Sequence, residues 1–279
     1  MMRAQLHLAF SVLNGRTHLH CAQQDPPWKV VRAFPNPADE SLVHLNNVSG
    51  GVFGGDELNL QVEVGPAAAA QITTTGSTRI YRPSESSTDA LLISKIHVSE
   101  GALLEYLPDS IIPFRDSRCE QRTEVRLEPA ATLFWWEIIA PGRLARGESF
   151  AYASLRTRNT IWSQGRPIYI DRMHLRPQLA KPSSLARMGK FHYLTSFMIC
   201  RSKEDPTTWI VLEQMLREIA QQRSRSDVLW GASALTADGV LVRGLSQSAV
   251  CIIEDLFCFW NSAKMYLCGR APSPPRKTY

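Results

Sequence analysis

The sequence predicts a mainly β fold, with stacked antiparallel sheets or a β-solenoid-like core, and a smaller α-helical C-terminal part. The first 175 residues contain about a dozen short runs that are rich in β-branched and aromatic residues or alternate between polar and apolar residues. Helical spacing of apolar residues appears only in the last hundred residues. We therefore predict a β-rich core over residues 1–176 and an α+β part over residues 177–279 that packs on the core, within one domain overall.

The first predicted element is a β-hairpin at the N-terminus. Its two strands are joined by Asn14-Gly15, the strongest short signal for a two-residue hairpin turn. The turn predicts three opposite pairs: Val12 with Thr17, Phe10 with Leu19, and Leu8 with Cys21. His7, His18 and His20 then share the other face, where neutral imidazole could bind nickel or zinc. The alternative is an ordinary solvated polar face.

A glycine-rich loop, formed by Gly50, Gly51, Gly54 and Gly55, comes next and ends at Asp56. Glycine allows a positive φ or a close approach of two backbones, so a tight loop between strands is the simplest interpretation. A phosphate-binding loop is excluded, because no Gly-Lys-Ser/Thr follows and the loop leads into an alternating strand rather than a helix.

Several further strands are predicted downstream of this loop. Residues 90–98 and 102–107 are interpreted as a strand pair joined by the turn at 99–101. Residues 132–139 are strongly apolar and aromatic, which predicts a strand that is buried on both faces. The remaining predicted strands are residues 28–34, 41–46, 58–64, 72–75, 117–127, 150–158 and 167–175.

The C-terminal part carries clear helix and hairpin signals. Asp205-Pro206 is typical of an N-cap followed by proline at the first helical position, which predicts a helix to about residue 223. Asp238-Gly239 predicts the turn of a second hairpin. A second helix is predicted over residues 246–268, ended by Gly269.

Composition narrows the classes of function. The net charge of +5 in 279 residues comes from scattered basic residues without a recognition-helix motif, which favours an acidic protein partner over nucleic acid. The six cysteines show no Cys-x-x-Cys spacing, so neither a disulfide scaffold nor a structural zinc site is expected. No apolar stretch is long enough to span a bilayer and no signal peptide pattern is present, which predicts a cytoplasmic protein without a membrane partner.

Four acidic residues stand out because they lie in apolar or glycine-rich surroundings. They are Asp56, Glu105, Glu137 and Glu148. Burying a carboxylate is costly unless it is paired or binds a metal. One hypothesis is a set of salt bridges to Arg79 or Arg143, and the other is an oxygen-lined passage for a divalent cation. No hydrolase, metalloprotease or nucleotide-binding motif is present, so we do not expect an enzyme.

Four motifs in the same order resemble those of the UreD (also called UreH) family of urease accessory proteins. They are Gly50-Gly51-x-x-Gly54-Gly55-Asp56 with Thr73-Thr74 and Ile80-Tyr81, Leu104-Glu105-Tyr106-Leu107-Pro108, Gly142-Arg143-x-Ala145-x-Gly147-Glu148, and the ending Pro275-Arg276-Lys277. The resemblance covers roughly residues 30–279. Arg79 stands where many relatives have lysine, which keeps the positive charge but changes its geometry.

The resemblance implies a function that agrees with the missing catalytic motifs. Members of this family are scaffolds in urease maturation that bind the urease apoprotein and associate with UreF and the GTPase UreG. The resemblance also implies that nickel(II) passes through this assembly to the urease active site, so that it is bound only transiently and no cofactor is bound permanently. The four acids would line the passage, and a second set of residues would have structural or positioning roles: Gly50, Gly51, Gly54, Gly55, Thr73, Thr74, Arg79, Tyr81, Pro108, Arg143 and Gly147. A protein-binding scaffold without metal contact is the alternative.

Overall fold

A computed structural model of the chain describes residues 1–36, 40–84 and 87–275, so Arg276 and Lys277 of the proposed ending lie outside the described residues. The fold is mainly β with two long C-terminal α-helices. The strands are β1 Arg3–Leu13, β2 Arg16–Gln24, β3 Trp28–Lys29, β4 Ala33–Pro35, β5 Ser41–Asn47, β6 Glu57–Val64, β7 Ala69–Thr74, β8 Thr78–Ile80, β9 Ala90–Val98, β10 Leu103–Leu107, β11 Ile111–Pro113, β12 Arg118–Leu127, β13 Thr132–Ile139, β14 Ser154–Ser163, β15 Arg166–Leu175, β16 Tyr193–Arg201, β17 Val228–Ala234 and β18 Gly239–Ser246. The helices are α1 Pro206–Arg223 and α2 Ala249–Cys268.

Two large sheets face each other. The seven-stranded sheet has the order β15-β14-β12-β9-β6-β1-β2, and the main path of the larger sheet is β17-β18-β16-β13-β10-β7-β5-β3. In the centre of each sheet the strands run parallel, because the chain passes from one sheet to the other after each strand. The centre is therefore solenoid-like, and antiparallel pairing is confined mainly to the two ends of the molecule.

The predicted pairing of residues 90–98 with residues 102–107 is wrong. β9 lies in the seven-stranded sheet and β10 in the larger sheet. The turn between them bonds to the neighbouring coil instead of closing a hairpin, since Ser99 N donates to Val64 O at 2.8 Å and Leu103 N donates to Ala68 O at 2.9 Å. Local alternation identified the two strands but not their partners.

The core has layers on both sides of the larger sheet. Side chains such as Val62, Leu104 and Trp135 fill the space between the two sheets. On the opposite face of the larger sheet, Phe134 packs with Trp260 of α2 under the two helices. β13 is buried along its whole length because it has apolar layers on both faces, which confirms the prediction from its composition.

The C-terminal elements largely follow the sequence signals. Asp205 caps α1 by accepting a hydrogen bond from Thr207 N at 2.8 Å, and Pro206 is the first helical residue. α2 begins three residues later than predicted because Ser246 still pairs within β18, and it ends at Gly269, whose φ is 66°. The strands β16, β17 and β18 extend the same larger sheet that contains β10 and β13.

None of the described helices is both long and apolar enough to cross a membrane.

Candidate functional site

The four acids that the sequence singled out lie in four separate settings. Asp56 ends the glycine-rich loop, and its carboxylate accepts hydrogen bonds from the backbone N–H groups of Met2 and Phe53, both at 3.0 Å. It therefore joins the start of the chain to the loop. With both carboxylate oxygens bound to backbone donors, Asp56 acts as a structural group here.

Glu105 faces the helices and is fully buried. Its carboxylate lies 2.9 Å from Lys264 Nζ of α2 and accepts hydrogen bonds from Trp260 Nε1 at 2.9 Å and Gln71 Nε2 at 2.8 Å. Burial raises the pKa of Glu105, while the positive charge of Lys264 opposes that rise. Lys264 is shared with Glu40, also at 2.9 Å. This network fixes α2 to the larger sheet.

Glu148 is held by arginines. Arg143 Nε donates to its carboxylate at 2.8 Å, and Arg115 Nε lies 3.9 Å from the other oxygen. The hydrogen bond from Arg143 is the main reason that the pKa of Glu148 is lowered. Glu148 therefore forms a salt bridge to Arg143, as one of the two hypotheses from the sequence proposed.

Glu137 differs from the other three because its carboxylate is held only by side-chain amides, and no described residue forms an ion pair with it. It lies on β13 and faces the seven-stranded sheet, where Asn159 Nδ2 donates to it at 2.8 Å and Gln121 Nε2 donates to its other oxygen. The remaining buried oxygen of Asn159, Oδ1, has no hydrogen-bond partner. Burial raises the pKa of Glu137 to about 7. Its protonation therefore changes near neutral pH.

Glu137 lines two cavities. The first, of about 260 Å³, lies between the two sheets and extends to the exposed loop at Thr75 and Gly76. The second, of about 180 Å³, includes Ser196 and extends to the exposed Arg172. Among the described residues Glu137 is thus shared by both cavities, and the second cavity also contains the ion pair of Arg243 with Asp171, whose atoms lie 2.6 Å apart.

The first cavity brings together several residues that the sequence proposed as positioning groups. These are Gly50, Gly51, Thr74, Arg79 and Pro108. Thr74 Oγ1 donates to Asp109 Oδ2 at 3.0 Å near the cavity. Thr73 points the other way, toward the helices, and its hydroxyl donates to Leu107 O at 2.7 Å.

The glycine candidates fix the shape of the loops in which they lie. A Cβ on Gly51 would lie 2.3 Å from the ring of Tyr81, so this position requires glycine. A Cβ on Gly54 would lie 2.3 Å from Pro83 Cβ, so glycine is required at this position as well. The positive φ of Gly55, 85°, and of Gly147, 71°, suits glycine in both loops.

The histidine face of the N-terminal hairpin forms with the predicted register near the turn. Val12 pairs with Thr17, and Leu8 with Cys21, but a bulge at His7 places that residue opposite Gln23. His7 Nε2 lies 3.2 Å from Glu63 Oε1 of β6 instead. In the described ranges, no three His, Cys, Asp or Glu residues are placed to hold a metal ion, and this includes His18 and His20.

Sequence reasoning missed the polar groups around Glu137. Asn159 and Gln121 provide its hydrogen bonds, and Tyr106, whose pKa burial raises to about 12, lines the same cavity. The sequence does contain a signal for Asn159. It is a polar residue at an inward position of β14, in the same alternation as the buried Leu155 and Ile161. A polar side chain at such a position needs a buried partner.

Comparison with known proteins gives a consistent result. The family model described as UreD urease accessory protein matches residues 2–279. A protein named urease accessory protein UreD from Herpetosiphon aurantiacus is 42% identical over 279 residues, which cover 100% of this chain and 97% of that protein. Proteins of the same name from Sorangium cellulosum and Klebsiella aerogenes are 31% identical over 268 residues and 27% identical over 274 residues, covering 96% and 98% of this chain and 81% and 95% of theirs.

Proposed function

The chain belongs to the UreD family of urease accessory proteins, and we propose that it acts in urease maturation as a chaperone that binds the urease apoprotein and, with UreF and the GTPase UreG, helps to deliver nickel. The observation that carries the proposal is the family match along essentially the whole chain. The proposed role is non-catalytic and cytoplasmic, and nickel(II) is cargo rather than a resident cofactor.

The cavities at Glu137 support a route for the cargo through this protein. Carboxylate and amide oxygens can bind a divalent first-row cation, and the unpartnered Asn159 Oδ1 lies next to the carboxylate. A single carboxylate whose hydrogen-bond partners are neutral amides supplies few ligands, so it binds a cation weakly and releases it readily. Since the pKa of Glu137 is about 7, its carboxyl is protonated in part of the molecules at neutral pH. A cation that binds there displaces this proton, which passes to solvent.

This route involves fewer of the four acids than the passage proposed from the sequence. Glu105 lies on the opposite face of the larger sheet, and its carboxylate is occupied by Lys264 and Trp260. Asp56 and Glu148 are bound by backbone N–H groups and by arginines, respectively. We therefore assign the passage role to Glu137 alone and structural roles to the other three acids.

The second candidate is a protein-binding scaffold that never contacts the metal. It is favoured by the lack, within the described residues, of any cluster of three metal-binding side chains. The two candidates make different predictions about Glu137: only the passage requires a carboxylate there.

Deletion of the chain tests the proposed function. In cells that contain urease and its other accessory proteins, we expect deletion to leave inactive urease with little bound nickel, and re-expression of the chain to restore both. Urease activity and urease-bound nickel are measured on the same purified enzyme. Fully active, nickel-loaded urease in the deletion strain would contradict the proposal.

A further inference from the structure

Three aromatic side chains form a column on the outer surface of the solenoid-like centre. Phe53 stacks on Tyr81 with ring centroids 4.7 Å apart and an angle of 13° between the planes. Tyr81 meets Phe114 edge-on at 4.9 Å. The guanidinium of Arg143 lies 4.1 Å from the centroid of the Phe114 ring. We call these four residues the aromatic column.

The column is produced by the parallel coils. Val52 forms a parallel bridge with Ile80, and β11 continues the same short ladder beside β8. Val52 and Ile80 point inward. The residues that follow them, Phe53 and Tyr81, therefore point outward at equivalent positions of adjacent coils. Phe114 N donates to Ile80 O at 2.9 Å, which brings the third ring into the same row.

Three exposed arginines lie near the members of the column along the chain. Arg79 is two residues before Tyr81, Arg115 follows Phe114, and Arg146 lies in the same turn as Arg143, to whose backbone oxygen its N–H donates at 2.8 Å. The described acids beside them are Glu148, whose charge is already shared by Arg143 and Arg115, and the exposed Asp116. The surface therefore carries an excess of positive charge over the residues described.

Phe53 gives this surface an apolar centre. Its side chain is 46% exposed, whereas Tyr81 and Phe114 are partly covered by their neighbours. An exposed aromatic ring on a rigid support, surrounded by arginines, has the composition typical of energetically important protein interfaces. Internal packing accounts for the stacked faces of the rings but not for the open face of Phe53.

We infer that the aromatic column and the arginines Arg79, Arg115 and Arg146 form a docking surface for an acidic patch on a protein. The inference rests on the proposed function, under which this partner is the urease apoprotein. A protein fits better than a nucleic acid, since binding of single strands uses several exposed aromatic platforms along a basic groove. Here one ring is open, and the other two are occupied by each other and by Arg143.

The test compares two doubly substituted full-length chains. The first carries Arg79→Glu and Arg146→Glu at the docking surface. The control carries Arg126→Glu and Arg217→Glu, which change the net charge equally at side chains that are 66% and 59% exposed on other faces. A third variant, Phe53→Ala, removes the open ring. Binding of each to purified urease apoprotein is measured at about 50 mM and about 300 mM salt, with thermal unfolding as a check on folding.

We expect the first variant and Phe53→Ala to weaken binding by about tenfold or more, with the control within about twofold of the unsubstituted chain. Higher salt should weaken binding of the unsubstituted chain and have little effect on the first variant. Thermal unfolding should change little for the arginine variants, because these side chains are exposed.

Two outcomes separate this inference from the proposed function. If the unsubstituted chain binds the apoprotein and all variants bind equally well, the docking surface is refuted and the role in maturation stands. If the unsubstituted chain does not bind the apoprotein, both fail. Tight binding of a short DNA or RNA duplex that is lost in the first variant would refute the assignment to a protein partner.

Discussion

Replacing Glu137 with glutamine should change how the stability of the protein depends on pH. The carboxyl is buried between the sheets, has only neutral hydrogen-bond donors, and has a pKa of about 7 because of this burial. Glutamine has nearly the same size and cannot titrate. The unpartnered Oδ1 of Asn159 can rotate to accept a hydrogen bond from the new amide, so we expect a small structural cost.

The expected magnitude follows from the two pKa values. In the unfolded chain Glu137 ionises near its ordinary value of 4.5, and in the folded protein it ionises near 7. Well below pH 4.5 it is protonated in both states and contributes no pH dependence. As the pH rises toward 7, only the unfolded state gains from ionisation, so the free energy of unfolding falls by about 3 kcal/mol and then levels off.

Urea unfolding of both proteins between about pH 4.5 and about pH 8 measures this effect. We expect the glutamine variant to gain about 3 kcal/mol relative to the unsubstituted chain over that range. The matched control is Glu124→Gln on the outer face of β12, where the side chain is 43% exposed and lines neither cavity. A constant difference for Glu137→Gln would refute the assignment of a buried, uncompensated carboxyl.

Three further substitutions test other parts of the structure. Lys264→Met should cost about 3–5 kcal/mol in urea unfolding because it leaves Glu105 buried without its counter-charge, and adding Glu105→Gln should recover part of that loss. Gly51→Ala should cost about 1–3 kcal/mol, since the new Cβ would lie 2.3 Å from a tyrosine ring, and a loss below about 0.5 kcal/mol would count against this contact. Asn159→Leu removes a hydrogen bond that lowers the pKa of Glu137, so NMR titration should show that pKa rising further, and a fall would contradict the described contact.

The features that could be predicted well from the sequence are those determined by residues adjacent in the chain. Asn14 and Gly15 both have positive φ, 52° and 76°, as a two-residue hairpin turn requires, and this turn sets the local register. Asp205 and Pro206 likewise determine the start of α1 through one side-chain hydrogen bond and one fixed backbone angle. Each of these signals is contained within a few consecutive residues.

The parallel pairing of the solenoid-like centre could not be read from such signals. Leu58 pairs with Leu92, Ala90 with Cys119, and Cys119 with Leu155, at sequence separations of 34, 29 and 36 residues. Because the coils differ in length, no fixed period appears in the sequence, although the coils stack regularly in space. Alternation shows that a strand has an inner face but not which strand lies beside it.

The same limit applied to the candidate site. The sequence identified Glu105 and Glu137 correctly as acids in apolar surroundings, and both are buried. In a sheet with apolar layers on both sides, alternation cannot tell which face points to the helices. The structure places Glu105 toward α2, where it pairs with Lys264, and Glu137 toward the seven-stranded sheet, where its hydrogen bonds come from the neutral amides of Asn159 and Gln121.

The most direct test of a nickel route through this protein is the amount of nickel bound to urease when Glu137 carries no charge. Urease is purified from cells whose only copy of the chain carries Glu137→Gln, with Glu124→Gln as the matched control, and its nickel content is measured at limiting nickel. A nickel route through Glu137 predicts nickel-poor urease with Glu137→Gln, despite normal association of that variant with the apoprotein, and full loading with the control. Equal, full loading in both strains would contradict the route and leave the chain as a scaffold that does not touch the metal.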